Sequence, residues 1–196
     1  MICFLPLGSY EYHGSWPKDL DTKIALKVSE ELGKRVGGEV LPPLPYSSSW
    51  EWEDSISLRV ETLSSVLGDI ASSCERLGKV LVVVNAHGGN SGLVQAVARQ
   101  YGFIAIDFWK ACRIRVGHCD GVEATVAREL GIEVKDQEFE RGWPEGRVTL
   151  PKIGDGCYGW EGRGINVFKC IEEIAKELEE VISCGFRRCR RSGSSP

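Results

Sequence analysis

The sequence predicts a single-domain, doubly wound α/β fold, a mostly parallel sheet with helices on both faces. Short apolar, β-branched runs alternate with amphipathic stretches of helical length, the order that parallel crossovers need. The chain of 196 residues is long enough to bury most of a continuous core, and no internal repeat or linker divides it. Each of its three histidines, His13, His87 and His118, follows a predicted strand, and open parallel sheets collect ligands outside the carboxyl ends of their strands.

Residues 2–7 form the first strand. The apolar start at 1–5 carries no basic leader and is cut short by Pro6, so it does not read as a signal peptide. Gly8-Ser9 turns the chain into GSYEYHGSWPKDLDT, which places Glu11, His13 and Asp21 beyond the strand's end. Residues 22–36 have apolar positions at Ile24, Ala25, Val28 and Leu32, a helical spacing closed by Gly37-Gly38, with Asp21 standing where an N-cap would. A short strand over 39–41 precedes the Pro42-Pro43-Leu44-Pro45 punctuation, and a loop with Trp50 and Trp52 leads to a helix at about 61–77. KVLVVVNAHGGN, residues 79–90, is the stretch on which the rest is organised: a buried strand delivers His87 into a turn whose paired glycines admit a close backbone approach. A helix over 92–101 and a strand over 103–108 follow. Residues 117–123 lead into a helix ending at Leu130, residues 142–164 form a glycine-rich loop with Trp143, Tyr158 and Trp160 suited to lie over a site, and residues 165–182 form a terminal helix.

The formal net charge of −4 argues against a nucleic-acid partner, which needs a basic face. No apolar run approaches the ~18 residues of a membrane span, and a cytoplasmic protein is expected. The eight cysteines are scattered without a Cys-x-x-Cys pair, and Cys74 and Cys170 fall inside helical patterns, so reduced thiols are expected. The single domain is expected to span 1–185, with 186–196 a basic, flexible tail.

Glu11, His13, Asp21, His87 and Glu123 supply two imidazoles and three carboxylates on one predicted rim. That mixture suits zinc, manganese or ferrous iron, and a bridging carboxylate would let two ions sit ~3.5–4 Å apart. His118 is the spare histidine that could hand a proton to a leaving nitrogen. Plainer roles stand beside these: exposed loop carboxylates for Glu11 and Asp21, the N-cap for Asp21, and helix-dipole compensation for Glu123. Cys119 beside His118 offers a rival nucleophile, and a metal-binding protein without turnover is a third class.

LPLGSYEYHG (5–14), DT (21–22), NAHGGN (85–90) and HCDGVEAT (118–125) resemble, in order, the motifs of the creatininase family. SISLRVETL (55–63) and YGWEGRG (158–164) are fainter echoes. The resemblance implies a metal-dependent amidohydrolase with two divalent ions, Fe2+ or Zn2+ with Mn2+ an option. Glu11, Asp21 and His87 would hold one ion, His13, Asp21 and Glu123 the other, with His118 catalytic. It also implies a homo-oligomer; Trp50 and Trp52 offer apolar surface that either lies in such an interface or folds inward over the sheet. Departures are informative: one residue fewer separates Glu11 from Asp21, the family's usual histidine after the first motif is missing, Gly121 replaces a glutamate, and Gly89 stands where creatininase itself carries a glutamate. Creatinine is therefore not the expected substrate. YEYHGSWPKDLDTKIA is similar to archaeal deformylases that release formate from 2-amino-5-formylamino-6-ribosylaminopyrimidin-4(3H)-one 5′-monophosphate, on the way to riboflavin and the deazaflavin cofactor F420. A small-molecule substrate with a nucleotide-like monophosphate is the expectation, and another cyclic amide or a peptide the alternative.

Overall fold

A computed structural model describes residues 1–145 and 147–184, so the expected tail at 186–196 lies outside the described residues. Strands β1 (Ile2–Leu7), β2 (Gly38–Val40), β3 (Val80–Asn85) and β4 (Ile104–Asp107) form a parallel sheet in the order β2-β1-β3-β4. The order reverses between β1 and β3, which opens a crevice beyond their carboxyl ends. The expected doubly wound α/β architecture is the observed one.

Every residue of β1 is buried, because both faces of the sheet are covered. Successive side chains of a strand point to opposite faces, so Ile2 and Phe4 join Val82 and Val84 in one core, against α1 (Leu20–Val36), α5 (Gly121–Glu129) and α6 (Val167–Ser183). Cys3, Leu5 and Leu7 join Leu81 and Val83 in the other, against α2 (Val60–Arg76) and α3 (Ser91–Tyr101). Gly8 lets β1 run close beneath α1, since a Cβ there would meet the Thr22 backbone nitrogen at 2.2 Å. That contact locks the strand's end to the helix's first turn.

Three expectations need correction. The helix α1 begins at Leu20, with Asp19 at its N-cap; Asp21 lies inside the first turn, buried, and caps nothing. The thiols are not all reduced: Cys112 pairs with Cys170 and Cys119 with Cys157 in disulfides, because the crossovers bring together cysteines that lie 58 and 38 residues apart in sequence. Cys74 does behave as a small buried hydrophobe. The strand expected to reach Phe108 stops at Asp107, whose side chain accepts the Lys110 amide and starts a one-turn helix, α4 (Phe108–Ala111). Residues 142–145 and 147–157 are loop, between a two-residue strand, β5 (Glu140–Arg141), and its parallel partner β6 (Tyr158–Gly159). No described helix is long and apolar enough to cross a membrane.

Candidate active site

The five expected ligands and His118 converge at the carboxyl ends of β1 and β3. Glu11 and His13 follow β1, Asp21 looks out of α1, His87 follows β3, and Glu123 stands in the first turn of α5. All six side chains are buried. The local sequence explains the placement. Asn85 donates its Nδ2 hydrogen to the His87 carbonyl and accepts the His87 amide and Asn90 Nδ2 on Oδ1, so NAHGGN folds as a closed turn. Ser9 Oγ donates to Asp21 Oδ2 at 2.8 Å and Thr22 Oγ1 to the Ser9 carbonyl, pinning the loop after β1 to α1.

The histidines share one device. His13 Nδ1 lies 3.1 Å from the Glu11 carbonyl oxygen, His87 Nε2 3.0 Å from that of Ser48, and His118 Nε2 2.5 Å from that of Tyr12. A carbonyl only accepts, so each of these nitrogens donates. The opposite nitrogen of each neutral ring then presents a lone pair to carboxylate oxygen. His13 Nε2 faces Asp21 Oδ1 at 3.5 Å and Glu123 Oε2 at 4.0 Å. His87 Nδ1 faces Asp21 Oδ2 at 3.0 Å and Glu11 Oε1 at 3.4 Å. His118 Nδ1 faces Glu11 Oε1 at 3.5 Å. Lone pairs aimed at carboxylates repel unless a proton or a metal ion stands between them.

Both Glu11 oxygens, His13 Nε2 and Asp21 Oδ1 are buried without a hydrogen-bond partner. Buried polar atoms are nearly always satisfied, so the cluster is complete only with cations. Among the described residues, three sets of donor atoms are close enough to hold one: Glu11, Asp21 and His87; His13, Asp21 and Glu123; and Glu11, His13 and His118. The first two are the sets expected from sequence, with Asp21 common to both.

Titration follows the same geometry. Burial pushes the Glu11 carboxyl up to about 7 and Glu123 well above the usual carboxylate range. Burial alone would lower His13 and His87, but Asp21 beside His13 and Glu11 and Asp21 beside His87 outweigh it, leaving about 9 and about 10. Burial opposes the charged form of Asp21 too, yet the two imidazoles hold it well below its ordinary value. His118 moves the other way: burial and the neighbouring His13 lower it well below 6.5.

Over this floor lies a cavity of about 520 Å³. Its roof comes from residues 50–52 and from the glycine-rich loop, which supplies Trp143, Glu145 and Leu150. Of the two readings of Trp52, interface or inward, the structure has the inward one: it is 2% exposed and stacks on His118 with ring centres 3.9 Å apart and planes 16° apart. Trp50, 50% exposed, sits at the rim. Asp155 Oδ1 accepts the amides of Glu53 and Asp54, and the Glu51 carbonyl accepts those of Ile153 and Gly154, which ties the two roof segments together. YGWEGRG meets the site through Tyr158, which exchanges backbone hydrogen bonds with His118. The rival nucleophile is removed, since Cys119 is in a disulfide.

The sequence pattern did not single out two residues of the site, Asp120 and Glu51. Asp120 caps α5 by accepting the amides of Val122 and Glu123 on one oxygen and those of Gly117 and Trp160 on the other, so it fixes the loop that holds His118. An aspartate before a helix was visible; its double duty was not. Glu51 lies with Oε1 3.8 Å from His87 Nε2. It occupies space that a side chain at Gly89 would need, for a Cβ there would meet Glu51 Oε1 at 2.6 Å.

A family model described as creatinine amidohydrolase (creatininase) matches residues 1–142. The mycofactocin precursor peptide peptidase of Mycobacterium ulcerans (strain Agy99) is 32% identical, with 66% of this chain and 58% of that protein covered. The chain covers 58% and 65% of the lengths of the curated relatives that it matches first. Among solved structures, a manganese creatininase superposes with a TM-score of 0.67 at 19% identity over 91% of this chain and 90% of its own. A mutant creatininase of Zn-Zn type gives 0.68 at 18% identity, over 91% and 90%. These structures share the fold.

Proposed function

The chain belongs to the creatininase family, and from that premise we propose that it is a metal-dependent amide hydrolase. The observation that supports this most is the set of three histidines, each fixed by a backbone carbonyl so that its other nitrogen faces carboxylate oxygen, in a cluster where both Glu11 oxygens, His13 Nε2 and Asp21 Oδ1 are left without a hydrogen-bond partner. Glu11, Asp21 and His87 would hold one divalent ion and His13, Asp21 and Glu123 the other, with Fe2+, Zn2+ or Mn2+ suited to the nitrogen and oxygen donors. Bound ions supply Lewis acidity towards the amide carbonyl and a nucleophilic water near neutral pH. His118 does the proton work. Its depressed affinity for protons keeps Nδ1 unprotonated at neutral pH, so it takes a proton from the attacking water and gives it to the departing nitrogen. The Nε2 hydrogen bond to Tyr12 and the Trp52 stack hold the ring in place for both steps.

A peptide amide is the substrate class favoured by the relatives, which are peptidases by name. The formamide reading rests on the string YEYHGSWPKDLDTKIA at 10–25. A homo-oligomer and a cytoplasmic location remain part of the reading. The test is a parallel assay of the metal-loaded protein: peptide cleavage followed by mass, formate release from the formylamino-pyrimidine nucleotide, and creatinine opening. Peptide cleavage that disappears with chelation is expected. Formate release alone would transfer the assignment to the deformylase, and metal binding with no amide cleaved would reject hydrolysis.

A further inference from the structure

The roof of the cavity has a composition that the proposed chemistry does not require. Trp50, Trp52 and Trp143 line it together with Glu51 and Glu145, and no lysine or arginine is among the described residues that line it. Trp52 and Trp143 meet edge to face, with centres 6.3 Å apart and planes at 79°. The two carboxylates differ in freedom. Glu145 is engaged by its own loop, accepting Trp143 Nε1 on Oε2 and the Leu150 amide on Oε1. Glu51 has an imidazole nitrogen at 3.8 Å but no hydrogen bond to its carboxylate among those described.

Aromatic faces beside carboxylates attract a cation, because the ring quadrupole and the negative charge act in the same sense. A phosphate wants the reverse, a guanidinium or ammonium to pair with. Two divalent ions set against Glu11, Asp21 and Glu123 leave one positive charge, and Glu51 with Glu145 turn the balance negative. The room for the Glu51 carboxylate is created by Gly89, whose missing side chain would collide with it.

We propose that this cavity selects amides bearing a positively charged group close to the scissile bond, an ammonium or guanidinium held by Glu51 among Trp50, Trp52 and Trp143, and that it rejects phosphorylated substrates. This rests on the hydrolase reading for the place of the scissile bond but concerns binding, which is measured separately. The cation has two sources, the free amino terminus of a short peptide or a basic side chain, and the probes separate them.

Manganese-loaded protein is titrated calorimetrically with two matched pairs, glycylglycine amide against its N-acetyl form and N-acetyl-lysine amide against N-acetyl-norleucine amide, and with N-acetyl-O-phosphoserine amide. In at least one pair the cation binds about tenfold tighter than its neutral partner, the scale of a desolvated cation–aromatic contact, and the phosphorylated probe binds no better than the neutral ones. Glu51→Gln then brings the favoured ratio close to one with the neutral probe's Kd unchanged, and Glu145→Gln lowers it less. Equal binding within both pairs, tightest binding of the phosphorylated probe, no binding of any probe, or equal losses for charged and neutral probes in Glu51→Gln would each overturn the proposal. Retained charge selection without cleavage of any probe or peptide would leave it standing and sink the hydrolase reading instead.

Discussion

At the floor of the cavity Glu11, His13, Asp21, His87 and Glu123 stand within a few residues of β1, β3 or the first turns of α1 and α5, and all are buried. In the roof, Trp50, Glu51, Trp143 and Glu145 come from loops and remain at least partly exposed. The floor stores unsatisfied polarity: four of its buried atoms lack a partner among the described residues. The roof, the Glu51 carboxylate apart, is self-satisfied, with Trp50, Trp143 and Glu145 hydrogen-bonded within their own segments. A region that leaves buried charge uncompensated is built to receive a cation, and a region that completes its own bonds is built to hold a shape. On the proposed function, the floor would govern whether chemistry happens, and the roof which molecule undergoes it.

If that division is right, floor substitutions remove turnover and roof substitutions shift affinity. The largest effect is expected at Asp21, the one carboxylate common to both donor sets. Asp21→Asn should bind fewer ions by elemental analysis than Glu11→Gln or His13→Gln, and lose roughly 10³-fold or more in turnover, since the Lewis acid is worth several kcal/mol. Two ions retained in the asparagine variant would show that it bridges nothing.

His118→Asn comes next. Its ring touches the floor at Glu11 and the roof at Trp52, so it tests the seam. Both ions and the Tm should persist while kcat falls ~10²–10⁴-fold, the usual contribution of a positioned acid-base group. Loss of one ion at unchanged fold would instead make it the ligand that the Glu11, His13 and His118 set permits.

The floor was largely legible in the sequence because its residues hang on periodic elements. An apolar strand ending in NAHGG states both the strand and the place of His87, and a helical pattern beginning near residue 22 puts Asp21 at the rim. The roof was not legible, for physical reasons. Trp52 reads equally well as interface or cavity until the fold brings it over His118, 66 residues away in sequence. The carboxylate of Glu51 acquires meaning only from the empty space at Gly89. The disulfides failed to show for the same reason: Cys119 and Cys157 are neighbours only once Tyr158 pairs with His118.

Removing the metal should expose the strain of the floor as a dependence on pH. His13 and His87 are raised in the folded protein to about 9 and about 10, so the stability that they contribute is full below about 6.5 and is lost as pH climbs through those values. Glu11, raised to about 7, gives its loss earlier in the same direction. His118 is lowered, so its contribution is complete above 6.5 and adds no slope there. The Tm of the metal-free protein should fall by more than about 3 °C between pH 6.5 and 10, relative to the loaded protein, in which the ions occupy the nitrogens and flatten the curve. Parallel curves for the two forms would mean that the imidazoles are not the ligands.

The smallest effect belongs to the roof. Trp143 is half-buried, touches Trp52 edge-on and anchors through Glu145, and it belongs to neither hydrophobic core. Trp143→Phe keeps a ring for the edge contact but drops the indole hydrogen bond, while Trp143→Ala removes both. An aromatic pair contributes about 0.5–1.5 kcal/mol beyond its buried area, so the alanine variant should raise KM by roughly 2- to 10-fold, with kcat, metal content and Tm essentially unchanged, and phenylalanine should recover most of that loss. A fall in kcat larger than the rise in KM would mean that the edge contact reaches His118 through Trp52, and the roof would then share in the chemistry as well as in the choice of substrate.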